Sequence, residues 1–255
     1  MSSRIWTARA VASEASAARF DLWRAVEAQH VAATMALTDT VEDQHVLERL
    51  LEESKPPVPP EARKLHWLLF TPFRYAPPPG GSRFRGPLDP GVFYGGDETR
   101  TACAELGYWR WRHLCDTPAI AAMPTKPQSV FRVQIAATSV DLREKPFEAD
   151  RAAWTRPDDY TECQQFARTA REARVAAIRY ESVRDPRHGG CSAVLVPTAF
   201  ARSTPLEQQT WMLSVARERV IWRRTGVLRQ QEFEFDAEAW RAPRPRGSAR
   251  RARRR

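Results

Sequence analysis

Cysteine is scarce in this chain, and its placement argues against two classes of protein. The four thiols, Cys103, Cys115, Cys163 and Cys191, form no C-x-x-C pair and no cluster with histidine. That is not the spacing of a disulfide framework or a zinc ribbon, and they are expected to be reduced thiols of a cytoplasmic protein. The five histidines (His30, His45, His66, His113, His188) are scattered without HExxH or similar spacing, so no metal is expected. No apolar stretch approaches the ~20 residues that span a bilayer, and the N-terminus lacks a signal core, so no membrane role is expected. No internal repeat is found.

Acid is missing from one place. The last fifteen residues, RAPRPRGSARRARRR, hold eight arginines and no Asp or Glu, and they account for almost all of the net charge of +9. Without them, 32 basic residues face 31 acidic ones. The body is therefore close to neutral and is not an obvious nucleic-acid surface. The Pro/Gly/Arg-rich tail, residues 237–255, is expected to be disordered and to touch nucleic acid or an acidic partner at most non-specifically. An apolar content of 42%, with nine tryptophans, supplies a core for one large domain with an extension.

The informative residues concentrate between Phe73 and Trp111. FRYAPPPGGSRFRGPLDPGVFYGGDETRTACAELGYWRW reads as an arginine-bearing strand, a proline–glycine loop with a second arginine, a short tyrosine-bearing strand, a tight turn and a helix. The helix is expected from Glu98 to about Leu114, with Asp97 as its cap. On a helical wheel Ala102, Glu105, Leu106, Trp109 and His113 share one side. Glu105 is the acid on that mostly apolar side, where an unpaired carboxylate is costly and needs a partner or a task. A salt bridge to a nearby arginine is the plain alternative. Arg74 lies in the apolar run LLFTPFRY, read as a strand. Arg83 follows Gly80-Gly81, which let the backbone turn sharply or approach a ligand closely. Each arginine offers the planar fork that suits phosphate or carboxylate, and a structural role is the alternative for each. Tyr94 ends the strand Val92-Phe93-Tyr94, with core packing as its alternative.

These residues resemble the RES domain family, the toxin half of bacterial toxin–antitoxin pairs whose antitoxins are of the Xre class. The family pattern has an early strand arginine, a Gly-x-Arg-aromatic step, an apolar pair ending in tyrosine, and a helix with Ala-x-x-Glu. Here those positions read Arg74, GSRF with Arg83, VFY with Tyr94, and TACAEL with Glu105, eleven residues beyond Tyr94. The family serine falls in AIRYESVRDPRHGGCSAVLVP as Ser182, with Ser192 the alternative. The family's Gly-x-Arg-Trp-Asn is Gly81-Ser82-Arg83-Phe84-Arg85 here, and its Val-Pro-Ser is Tyr180-Glu181-Ser182. The likeness covers roughly residues 65–200.

The resemblance implies an α+β fold like that of ADP-ribosyltransferases, a mixed β-sheet core with packed helices, and NAD as substrate. It implies Glu105 beside the nicotinamide ribose, Arg74 and Arg83 on the diphosphate and Tyr94 against nicotinamide. Ser182 would bond the ribose or amide, or orient Glu105. The implied activity is NAD cleavage by water or phosphate. Transfer of ADP-ribose to a protein and a catalytically silent partner-binding module are the alternatives. The implied partner is an Xre-type antitoxin. The absence of G-x-G-x-x-G agrees with such a fold.

Around this unit, residues 1–60 read as a helical extension, with helices over Ala17–Leu37 and Val41–Glu53, closed by the prolines of SKPPVPPEA. The extension is a docked cap, a dimerisation element that would make a homo-oligomer, a partner-binding piece or a packing extension. The catalytic domain is expected over 61–236. It would hold strands at Ser129–Ala136, Val140–Leu142, Val175–Tyr180 and Ala193–Val196. A helix is expected at Thr161–Ala173, and Phe233 and Phe235 alternate in a further strand.

Overall fold

The computed structural model describes residues 6–28 and 37–241. The arginine-rich residues 242–255, and residues 29–36 of the first expected helix, lie outside them. In chain order the elements are α1 (Ala8–Glu14), β1 (Ser16–Glu27), α2 (Val41–Glu53), α3 (Trp67–Arg74), β2 (Phe93–Gly96), α4 (Thr99–Cys115) and β3 (Ala122–Asp141). Then follow α5 (Arg151–Trp154), α6 (Thr161–Glu172), β4 (Ala177–Glu181), β5 (Gly190–Val194), β6 (Glu207–Ala216), β7 (Arg219–Arg224) and β8 (Glu232–Asp236). The architecture is α+β, a mixed sheet with packed helices.

The eight strands run in the order β1-β2-β5-β4-β3-β6-β7-β8, and β1 also pairs with β3. Five strands therefore close on themselves, and β6, β7 and β8 extend from β3. The closure rests on one long ladder and one short contact. β1 runs antiparallel to β3 over its whole length, from Ser16 opposite Ser139 to Glu27 opposite Gln128. It meets β2 only where Trp23 faces Gly96. The β3–β4 pairing is parallel, and the others are antiparallel.

The strand β1 corrects the expected helix over Ala17–Leu37. Phe20, Trp23 and Val26 recur every three residues, which suggests a helix. In the fold they lie on both faces of one strand. Phe20, Leu22 and Val26 pack into the core beneath α3, while Trp23 and Ala25 pack into the core beneath α4. A strand covered on both sides loses the polar–apolar alternation by which strands are read. The first 27 residues thus contribute a strand to the sheet, and helical structure in the extension is carried by α1 and α2. The run LLFTPFRY is corrected in the opposite sense. It is the helix α3, opened by His66, whose Nδ1 accepts the Leu68 N–H at 3.3 Å, and it buries Leu69 and Phe73 four residues apart. Eight mostly apolar residues do not distinguish a buried strand from a short helix.

Three apolar clusters hold the layers. One gathers Leu22, Leu69, Phe73, Phe93, Phe131 and Ile135 under α3. A second places Cys103, Ala104, Tyr108, Trp111 and Leu114 of α4 against Val130, Trp211, Trp222 and Phe235. The third packs Phe166 and Ala170 of α6 with Trp154, Ile178 and Tyr180. Arg132, which interrupts the alternation of β3, points outward to Asp21 at 2.7 Å. The chain continues past Asp236 into a 3-10 turn, Ala237–Trp240, and the Trp240 indole N–H donates to Arg184 O at 2.6 Å. Packing α4 by its Cys103–Tyr108 side leaves its Glu105 side facing β1, β2 and the β4–β5 turn, and that places the site.

Candidate active site

A cleft of about 820 Å³, counting the open space at its mouth, lies between α4 and the edge formed by β1 and β2. Four residues of α4 line it: Ala102, Glu105, Leu106 and Trp109. This is the side predicted from the sequence, except that His113 lies beyond it and is exposed. Asp97 does not cap α4. The N-cap residue is Glu98, and Asp97 is drawn instead into a charged cluster with Arg143 at 3.1 Å and Arg179 at 3.4 Å.

Glu105 forms no ion pair among the described residues, so the plain alternative of an arginine partner is not what the fold shows. Its Oε1 accepts the Ser182 hydroxyl at 2.6 Å, and the Cys191 thiol lies 3.8 Å from the same oxygen. Burial raises the Cys191 pKa well above that of a free thiol, with Glu105 adding to the effect, so the sulfur stays protonated. Ser182 is wholly buried at the end of β4. Ser192 is equally buried on β5, and neither serine lines the cleft, but the Ser192 hydroxyl has no hydrogen-bond partner among the described residues. Geometry therefore brings Ser182 to Glu105 and leaves Ser192 apart.

Arg83 lines the cleft almost fully buried. Its Nη1 donates to the carbonyls of Trp154 at 2.8 Å and Arg156 at 2.9 Å, and its guanidinium lies 4.9 Å from the Tyr160 ring. Tyr94 lines the cleft too, and its hydroxyl has a second task. It sits 2.8 Å from the Ser82 hydroxyl and accepts the Phe84 N–H at 2.9 Å. It latches both neighbours of Arg83 and so fixes the loop that presents that arginine. Burial pushes its pKa up to about 12, so the phenol keeps its proton at any physiological pH. Tyr94→Phe is expected to cost about 1–2 kcal/mol of stability, since it orphans a buried N–H. The raised pKa makes that contribution constant below about pH 10 and lost only as pH climbs toward 12. Denaturant unfolding of both proteins at pH 6 and pH 9 checks it: the gap should be the same at the two values.

Arg74 is not part of this constellation. It ends α3 and turns toward the proline linker, donating to Pro56 O and pairing with Glu52 Oε1 at 2.6 Å. The missing guanidinium comes from β1. Arg24 lines the cleft, donates through Nη1 to Tyr94 O at 2.7 Å and stacks 4.9 Å from the Phe93 ring. No carboxylate pairs with it among the described residues, its Nε is buried without a partner, and burial lowers its pKa to about 10. Arg184 is a third arginine of the cleft. It rests 3.7 Å over the Tyr108 ring and donates to the Tyr160 hydroxyl at 3.3 Å. The sequence did carry a signal for Arg24, an arginine in the apolar series Phe20, Leu22, Val26, but only for a reading at period two.

The sequence model of the RES domain matches residues 58–216. This chain belongs to the RES domain family. The match takes in Arg83, Tyr94, Glu105 and Ser182, while Arg24 lies ahead of it. Among solved structures the RES chain is similar to the crystal structure of the M. tuberculosis MbcT–MbcA toxin–antitoxin complex. That pair shares 9% identity with a TM-score of 0.47, over 91% of this chain and 93% of the other. No curated protein matches it. Among the described residues, no group of three or more His, Cys, Asp or Glu side chains could hold a metal ion, and no helix is long and apolar enough to cross a membrane.

Proposed function

We propose that this RES domain is the toxin of a toxin–antitoxin pair and consumes NAD by cleaving its nicotinamide–ribose bond. One observation carries the reading: a single cleft joins a carboxylate and a buried guanidinium, neither of which forms an ion pair among the described residues. A buried cation without a counter-ion is costly and marks where an anion is meant to sit. A dinucleotide supplies that anion as its diphosphate, bound by Arg24 and Arg83 through charge-assisted bonds.

The diphosphate contacts set the nicotinamide ribose beside Glu105. As the glycosidic bond breaks, its electron pair leaves with nicotinamide and positive charge builds on C1′ and the ring oxygen. The Glu105 carboxylate stabilises that charge where it develops. Ser182 donates to one carboxylate oxygen and so holds the other toward the ribose. Water or phosphate then adds to C1′ and gives up its proton. Trp23 and Trp109 at the rim offer ring faces to the planar bases. The partner is an Xre-type antitoxin, and the toxin acts on the NAD pool of the cytoplasm that produces it.

The test is to incubate purified protein with NAD, alone, with phosphate and with cell lysate, and follow the products by mass. Nicotinamide appears in every productive case. ADP-ribose names water as the acceptor, its phosphorylated form names phosphate, and a mass shift on a protein names transfer. Folded protein that releases no nicotinamide under all three conditions would refute the reading.

A further inference from the structure

We propose that Asp185 and Thr101 form a clasp that aims Ser182 at Glu105. The inference rests on the reading of Glu105 given above and adds two positioning residues to it. Neither lines the cleft, so neither reaches substrate.

Two side-chain hydrogen bonds join the turn between β4 and β5 to α4, beside the packing of Arg184 on the Tyr108 ring. At one, the Ser182 hydroxyl donates to Glu105 Oε1 at 2.6 Å. At the other, Asp185 Oδ2 accepts the Thr101 hydroxyl at 2.8 Å. Thr101 and Glu105 are four residues apart and lie on one face of the helix, one turn from each other. Without the Thr101–Asp185 bond, the start of the turn would be tied to the first half of α4 only by the Ser182–Glu105 bond and the looser Arg100–Asp185 pair. Two attachments a helical turn apart fix both its approach and its rotation.

The clasp also determines where the serine proton points. Ser182 Oγ accepts the N–H of Arg184 at 3.2 Å and of Asp185 at 3.0 Å. With both acceptor directions taken by backbone amides, the hydroxyl hydrogen is left to Glu105. One of those amides belongs to Asp185 itself, so a shift of that residue moves the hydroxyl directly. The other carboxylate oxygen of Asp185 accepts the Arg187 N–H at 3.1 Å and lies 3.6 Å from Arg100 Nε. Arg100 is in turn seated 4.6 Å from the Phe235 ring. The carboxylate lies at the first turn of α4, where the helix dipole favours negative charge. The approach is close enough that a Cβ on Gly189 would fall 2.2 Å from Thr101 Oγ1. Ser182, Asp185 and Thr101 are at most 2% exposed, so water does not replace a lost contact.

The test is a double-mutant cycle on the rate of nicotinamide release. Thr101→Val is near-isosteric and removes only the hydroxyl donor, and Thr101→Ser restores it. Asp185→Ala is the stronger variant, with thermal unfolding run on each. Thr101→Val is expected to lower kcat by about 30-fold with KM within threefold, and Thr101→Ser to recover most of the rate. In a Ser182→Ala background the same Thr101→Val change should cost less than about threefold, because the residue through which it acts is already gone. An equal loss in both backgrounds, or no loss in either, would overturn the clasp while leaving the enzyme reading intact. If wild-type protein releases no nicotinamide at all, the enzyme reading falls and the clasp falls with it.

Discussion

Glu105→Gln is expected to lower NAD cleavage by about a thousandfold while leaving the unfolding temperature nearly unchanged. The two parts of this expectation have separate causes. Glutamine keeps the size of the side chain and keeps an oxygen that accepts the Ser182 hydroxyl, so the 2.6 Å contact survives. Glu105 forms no ion pair among the described residues, so no partner is stranded when its charge is removed. What is lost is the full negative charge beside a carbon that becomes cationic in the transition state, and stabilisation of developing charge is commonly the largest single catalytic contribution. The measurement is nicotinamide release at saturating NAD, paired with thermal unfolding and with growth of cells expressing each form. A variant that unfolds like wild type, has lost turnover and no longer arrests growth fits the assignment. Full turnover by the variant would remove Glu105 from the chemistry.

How much of this was legible in the sequence depended on whether a residue's neighbours in the chain are also its neighbours in the site. Glu105, Leu106 and Trp109 were placed together because α4 brings them together by its own periodicity, which needs no tertiary knowledge. Arg83 was legible as a loop residue and Tyr94 as a strand residue, although the strand does not end at Tyr94 but runs on through Gly95 and Gly96 to pair with β5. The bond from the Tyr94 hydroxyl to the Phe84 amide was not, because it depends on how the loop folds back. Ser182 was reachable through its glycine-closed turn, and its separation from Ser192 became visible only when β5 placed Cys191 toward Glu105 and Ser192 away. The exchange of Arg74 for Arg24 has a deeper cause. Both sit in short, aromatic, mostly apolar runs in which periods of two and three or more fit almost equally well. The run holding Arg74 is a helix that aims it at Glu52. The run holding Arg24 is a strand on which both faces are covered, so its arginine is on the inside. Only the ladder from Ser16–Ser139 to Glu27–Gln128 resolves the ambiguity, and that ladder joins residues more than a hundred positions apart.

That exchange yields the second large effect. Arg24→Met is expected to make the protein more stable and nearly useless as an NAD enzyme. In the free protein Arg24 keeps its charge in an apolar setting against Phe93, with its Nε unpartnered and no acid to offset it. The drop in its pKa from the ordinary guanidinium range to about 10 corresponds to a cost on the order of 3 kcal/mol. Methionine has a similar reach and packs on the same ring. It forgoes the bond to Tyr94 O, worth about 1 kcal/mol, so a net gain of about 1–2 kcal/mol is expected. The sign with pH follows from the lowered value. The cost is full at every pH below about 10 and fades only above it, so the gain should be the same at pH 6 and pH 8. NAD loses its buried phosphate donor, and KM should rise about a hundredfold. Arg74→Met supplies the contrast, because Arg74 is turned away from the cleft, its nearly buried side chain bonded to Pro56 O and to the half-exposed Glu52. It should change KM by less than about twofold and lower stability by about 1–2 kcal/mol. Thermal unfolding with and without NAD separates the two arginines in one experiment: the Arg24 variant should start higher and fail to rise with ligand. If instead Arg24→Met lowers stability and still binds NAD, Arg24 is a structural residue, and the diphosphate must be held by Arg83 and Arg184 alone.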